Sequence, residues 1–131
     1  MTATPTPEHL EATGDCYREA FKALTRFILS GQEGWAVVHG RPTLQVEPFC
    51  QYGHAWLELG DIVYAASTGS IFPKSLYYAA GKIDPANNHV YDKDQVRRMI
   101  LDFRHYGPWE GPDAHPPIPE TTWEDLNADA P

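Results

Sequence analysis

A chain of 131 residues is near the commonest size for one domain, so a single hydrophobic core is expected. Residues of the AVILMFWYC set make up 42 %, with four Trp, seven Tyr and five Phe, which excludes an intrinsically disordered chain. The net charge of −8 is uneven: residues 107–131 hold six acids and no Lys or Arg, leaving residues 1–106 at −2, without the basic footprint that binding a phosphate backbone requires.

Residues 1–7 lack the basic start and apolar stretch of a secretion signal, and no apolar run approaches the roughly 20 residues of a membrane-spanning helix. A cytoplasmic protein is expected, with no membrane or nucleic acid among its partners. From Asp15 the pattern is helical. Tyr17, Ala20, Phe21, Leu24, Phe27 and Ile28 fall at the spacing of one buried stripe, with Asp15 as N-cap and Gly31 as stop. Residues 35–40 read as a buried strand, ended by His39 as a core histidine with satisfied hydrogen bonds. Residues 43–47 alternate polar and apolar like a half-exposed strand. After a loop over 48–53, two β-rich runs, 54–59 and 62–66, flank Gly60-Asp61 and predict a tight hairpin.

Residues 67–74 read as a connection and 75–80 as a short helix closed by Gly81. Residues 84–90 form turns. Asp92 and Gln95 form a capping box, opening a helix whose Val96, Met99, Ile100 and Phe103 share one face, with Gly107-Pro108 ending it. Residues 107–131 are an acidic, Pro-rich, extended tail in which Trp109 and Trp123 are candidate anchors; His105 to Trp109 is read as anchoring that tail. The order of helix, small antiparallel sheet and helix predicts an α+β domain over residues 1–106.

Two cysteines in such a chain are no structural staple, so the question is which is reactive. Cys16, directly after the expected N-cap, lies in the first turn of the longest helix. There the macrodipole and free N–H groups favour a thiolate, and the same groups face a developing oxyanion. A nucleophilic thiolate needs an imidazole within reach, and His54 opens the hairpin. Glu58 shares its face but lies about 13 Å along the strand. Cys50 reads as a passive loop thiol. With no second cysteine pair, its neighbours His39, His54 and His89 do not predict a zinc site, and no cofactor is expected. Tyr77 and Tyr78 are read as packing residues that could also line a groove.

Gly14-Asp15-Cys16-Tyr17 opening a helix, then Gly53-His54-Ala55-Trp56-Leu57-Glu58 on a strand, resembles the transglutaminase-like branch of the papain-like cysteine hydrolases, including small phage and bacterial members. The match covers residues 14–67. It implies a core helix packed on an antiparallel sheet, Cys16 as nucleophile, His54 as base and acid, and an Asp or Asn on the next strand. That position, near 65, is Ala65 here. Pairing about Gly60-Asp61 sets His54 opposite Ser67, so Ser67, Asp61 or Asp84 would take the third place, or the triad is incomplete.

The resulting expectation is a small cysteine peptidase, isopeptidase or amidase acting on a peptide or protein substrate. Its catalytic residues would be Cys16, His54 and Ser67, with Trp56, Tyr17 and Tyr64 binding substrate. The rival is a non-catalytic binding protein on the same scaffold, phage-encoded and directed at a host protein. The thiol and imidazole are expected to converge on one water-accessible cleft. Nothing in the sequence fixes the oligomeric state.

Overall fold

The computed structural model describes residues 16–118. In chain order the elements are α1 (Cys16–Leu29), β1 (Ala36–Gly40), β2 (His54–Leu59), β3 (Ile62–Ala65), β4 (Ser70–Pro73), α2 (Lys74–Gly81), a 3₁₀ turn (Pro85–Asn87), β5 (His89–Tyr91) and α3 (Lys93–Phe103). The strands form one antiparallel sheet in the order β4-β3-β2-β1-β5. Among the described residues the fold is thus α+β, with three helices on a five-stranded sheet.

The central strand β2 dictates the layering. Its first four residues, His54 to Leu57, are all buried, so the sheet needs a cover on both faces. Alternation sends Ala55 and Leu57 one way and His54 and Trp56 the other. On the first side lie Cys16, Ala20, Ala23 and Leu24 of α1, with Val37, Tyr91, Val96 and Trp109. On the second, Trp56 joins Val38, Val63, Phe72, Ile83 and Tyr77 of α2. Full burial of side chains as large as Trp56, Tyr77, Phe72 and Leu57 contributes about 1.5–3 kcal/mol each.

The predicted α1 stripe forms from Tyr17 to Phe27, with Ile28 left 41 % exposed, and the hairpin and the Asp92–Gln95 capping box both form. Gly31 adopts the left-handed backbone of a helix stop. The Asp15 cap and Trp123 lie outside the described residues.

Four local expectations change. Residues 43–47 are not a strand, because the segment folds back on itself. Leu44 N–H donates to the Cys50 carbonyl and Tyr52 N–H to that of Pro42, leaving only the bridge between Thr43 and Gln51. Residues 70–73, read as connection, form the edge strand β4, where Pro73 is tolerated because an edge residue need not donate to the ladder. Residues 89–91, read as turn, form β5. The last two helices are closed by the left-handed residues Lys82 and Arg104 rather than at Gly81 and Gly107.

The stretch after residue 106 also differs from an extended tail where it begins. Trp109 is 4 % exposed in the α1-side core and donates its indole N–H to the His105 carbonyl. No helix among the described residues is long and apolar enough to cross a membrane.

Candidate functional site

His54 is the first residue of β2, on the α2 side of the sheet, and only 1 % exposed. Its Nε2 lies 3.2 Å from Tyr77 Oη, and its ring sits 5.8 Å from that of Trp56. Its Nδ1 is buried without a hydrogen-bond partner among the described residues. Burial pushes the imidazole down to about 4, so it is neutral at pH 7. Tyr77 comes from the second turn of α2 and is fully buried. Burial first, then neighbouring Tyr52 and Cys16, hold its phenol well above the ordinary range. The hydroxyl therefore stays protonated, and it either donates to Nε2 or accepts its proton.

Cys16 opens α1 and is 2 % exposed. It belongs to the cluster containing Ala55. Tyr77 has ties to both predicted partners: it bonds His54 Nε2, and Cys16 is among the groups that raise its phenol. Two observations bring the α1 N-terminus close to the start of β2. A side chain at Gly53 would collide with Tyr17 Oη, so the residue before His54 has no room for a Cβ. Tyr17 itself is held above its ordinary acidity range by burial, then by Cys16 and Asp113, with Arg41 opposing. The expected water-accessible cleft is not found: both groups are buried.

The remaining predicted site residues separate. Trp56 is fully buried beside His54, where its indole N–H donates to Glu58 Oε2 at 2.8 Å. The same carboxylate accepts from Tyr78 and pairs with Lys74 at 3.2 Å, so Glu58 is engaged away from His54, as its spacing predicts. Ser67 follows β3 in a turn closed by N–H donations from Thr68 and Gly69 to the Ala65 carbonyl; the residue hydrogen-bonded to His54 is Tyr77. Tyr64 faces the α1 side, edge-on to Phe27 at 5.1 Å and Trp35 at 6.3 Å, away from His54. Tyr17 lies at the near end of α1, edge-on to His39 at 4.8 Å.

His39 departs from the expected satisfied core histidine. It is 4 % exposed, boxed by Tyr17, Tyr91 and Trp109 with ring centroids 4.8–5.0 Å away, and neither ring nitrogen has a hydrogen-bond partner among the described residues. Burial, then the charge of His89, pushes it down to about 3. Gly107 closes the box: its backbone has φ +115°, and a Cβ there would strike His39 Cε1. Below lies a cavity of about 20 Å³ reached by Arg41, His89, Glu110 and Asp113. Arg41 Nε donates to Asp113 Oδ2 at 2.9 Å, and Tyr91 donates to Glu110 Oε1 at 2.8 Å.

Tyr77 is the residue that sequence reasoning did not assign to the site. Its 23-residue separation from His54 gives no local signal; only the two-sided burial of β2 demands an aromatic cover there. Cys50 is exposed in the loop before His54. Among the described residues, no group of three or more His, Cys, Asp or Glu is arranged to hold a metal ion. Comparison with models of known protein families, with curated proteins and with solved structures returns no match.

Proposed function

We propose that the protein is a small cysteine hydrolase of the papain/transglutaminase-like kind, acting on a peptide, isopeptide or amide carbonyl. The observation that carries this reading is the state of His54: a buried, neutral imidazole anchored through Nε2 by Tyr77, with Nδ1 without a partner among the described residues. With the proton on Nε2 donated to Tyr77 Oη, the Nδ1 lone pair is the base. It takes the Cys16 thiol proton as Sγ bonds to the substrate carbonyl carbon, while the N–H groups of the first turn of α1 face the oxyanion. As the tetrahedral adduct collapses, the imidazolium returns that proton to the departing amine, leaving a thioester on Cys16. Water, deprotonated by the same nitrogen, then attacks the thioester. The acid is released and the thiol restored.

Tyr77 takes the orienting place that Ala65 leaves empty. A phenol holds the ring but does not offset imidazolium charge as a carboxylate does. Losing that term costs a triad up to about 10⁴-fold, so slow turnover is expected. The test is hydrolysis of a library of fluorogenic peptide amides. Activity abolished by Cys16→Ala and by His54→Ala, and reduced but measurable in Tyr77→Phe, supports the reading. Activity that survives Cys16→Ala sinks it.

A second reading, a non-catalytic binding protein on the same scaffold, is favoured by the near-complete burial of both Cys16 and His54. In that case Cys16→Ala leaves the biological effect of the protein intact.

A further inference from the structure

The two helices on the α1 side leave a groove between them of about 530 Å³, floored by Phe21, Leu24 and Ile28 of α1 and by Val96, Ile100 and Leu101 of α3. Ile28 is 41 % and Leu101 64 % exposed, so aliphatic surface faces water on both walls of the groove.

The two helices that form the groove are also basic in an acidic protein. α1 and α3 carry Arg18, Lys22, Arg26, Lys93, Arg97 and Arg98, six of the chain's ten Lys and Arg, against the acids Glu19, Asp94 and Asp102. Arg18, Lys22 and Arg26 recur every four residues, which stacks them along one flank of α1. Lys93, Asp94 and Arg97 line the groove from α3, two bases against one acid. An occupant that fits would be acidic and would carry bulky apolar side chains at close spacing.

The chain itself contains such a segment. Residues 119–131 hold Glu120, Glu124, Asp125 and Asp129, no Lys or Arg, and two bulky apolar residues, Trp123 and Leu126. The segment departs from the groove's own end, since Ile118 N–H donates to the carbonyl of Phe103, the last residue of α3, at 2.9 Å. From Phe103 back to Lys93 is about 15 Å of helix, and the five residues from 119 to 123 span up to about 17 Å when extended. Trp123 therefore has the reach to enter the groove at any point along α3.

We infer that this groove is the docking site of residues 119–131 of the same chain, with Trp123 and Leu126 on the apolar floor and the four carboxylates against the basic flanks. The inference is independent of the hydrolase reading.

The test compares backbone amide and indole NMR spectra of the full chain with those of the full-length Trp123→Ala and Arg97→Glu variants. Trp123→Ala should shift the amides of Leu24, Ile28, Val96, Ile100 and Leu101 while the sheet resonances hold, which also certifies the fold. Arg97→Glu should shift the Trp123 indole N–H, and so should salt at about 1 M, where the screening length falls to ~3 Å. Shifts confined to residues 119–131, or a Trp123 indole indifferent to Arg97→Glu and to salt, overturn the proposal. Groove amides that move with protein concentration instead assign the groove to a second copy, and that too overturns it.

Discussion

His39 ends β1 and His54 begins β2. They are one register step apart on the same strand pair, His39 opposite Ala55 and His54 opposite Gly40, yet they face opposite sides of the sheet. Both are buried and held neutral, but their surroundings differ in kind. Around His39 every close ring is aromatic and both nitrogens are unpartnered, so the ring is used as a flat filler. Around His54 one nitrogen is fixed by a phenol and the other is not. Only the second arrangement leaves a lone pair in a set direction, which is what a base requires. Burial alone does not distinguish the two histidines; the asymmetry between the nitrogens of His54 does.

Tyr77 offers the largest way to break this contrast. Tyr77→Ala removes a fully buried ring and should cost about 3–5 kcal/mol in urea unfolding. Tyr77→Phe keeps the ring but strands His54 Nε2, for about 1–3 kcal/mol. A Phe variant as stable as the wild type would show that the hydroxyl does not hold the histidine.

Acid should act on both histidines. Burial lowers His39 to about 3, with His89 adding to the effect, and His54 to about 4, whereas the unfolded chain protonates them near the ordinary value of about 6.5. Between those limits the unfolded state binds protons that the folded state refuses. Stability is therefore fully present above about pH 6.5 and falls as pH drops toward 4, by on the order of 1 kcal/mol per pH unit for each histidine. Urea midpoints between pH 7 and 4.5 measure the slope. His39→Phe should remove about half of it, and an unchanged slope would mean that His39 is already protonated in the fold.

The smallest expected effect sharpens the comparison most. At neutral pH His39→Phe should be neutral or stabilising by up to about 1 kcal/mol, because it removes two unpaired buried nitrogens and keeps an aromatic ring in the box. A loss above about 2 kcal/mol by thermal unfolding would reveal a partner for His39, such as a bound water in the small cavity beneath it.

What was legible in the chain was local. The stripe from Tyr17 to Phe27, the Gly60-Asp61 hairpin and the Asp92–Gln95 box each repeat or close within a few residues, and each forms. The edge strands β4 and β5 were hidden because four and three residues are too short to show alternation. Residues 43–47 showed alternation, yet Leu44 N–H donates to Cys50 within the loop and Thr43 N–H to the Gly81 carbonyl at the end of α2, so they join no ladder. The burial of Trp109 was masked by the prolines around it. At the site, Cys16 and His54 could be singled out from element ends alone. Tyr77 could not, since its bond to His54 joins a strand to a helix two elements later. Tyr64, grouped with the site on sequence grounds, shares the face of Leu57, its partner across the hairpin, and so packs under α1.

The central claim is that Cys16 is a nucleophile served by His54, and the two cysteines provide an internal control. Cys50 is exposed and Cys16 is buried, so accessibility alone makes Cys50 react first. Iodoacetamide labelling at pH 7, followed by peptide mass analysis of both sites, reads the order directly. The account predicts that Cys16 labels faster than Cys50 and that His54→Ala reverses the order. Preferential labelling of Cys50 in the wild-type protein, with Cys16 indifferent to His54→Ala, would contradict it.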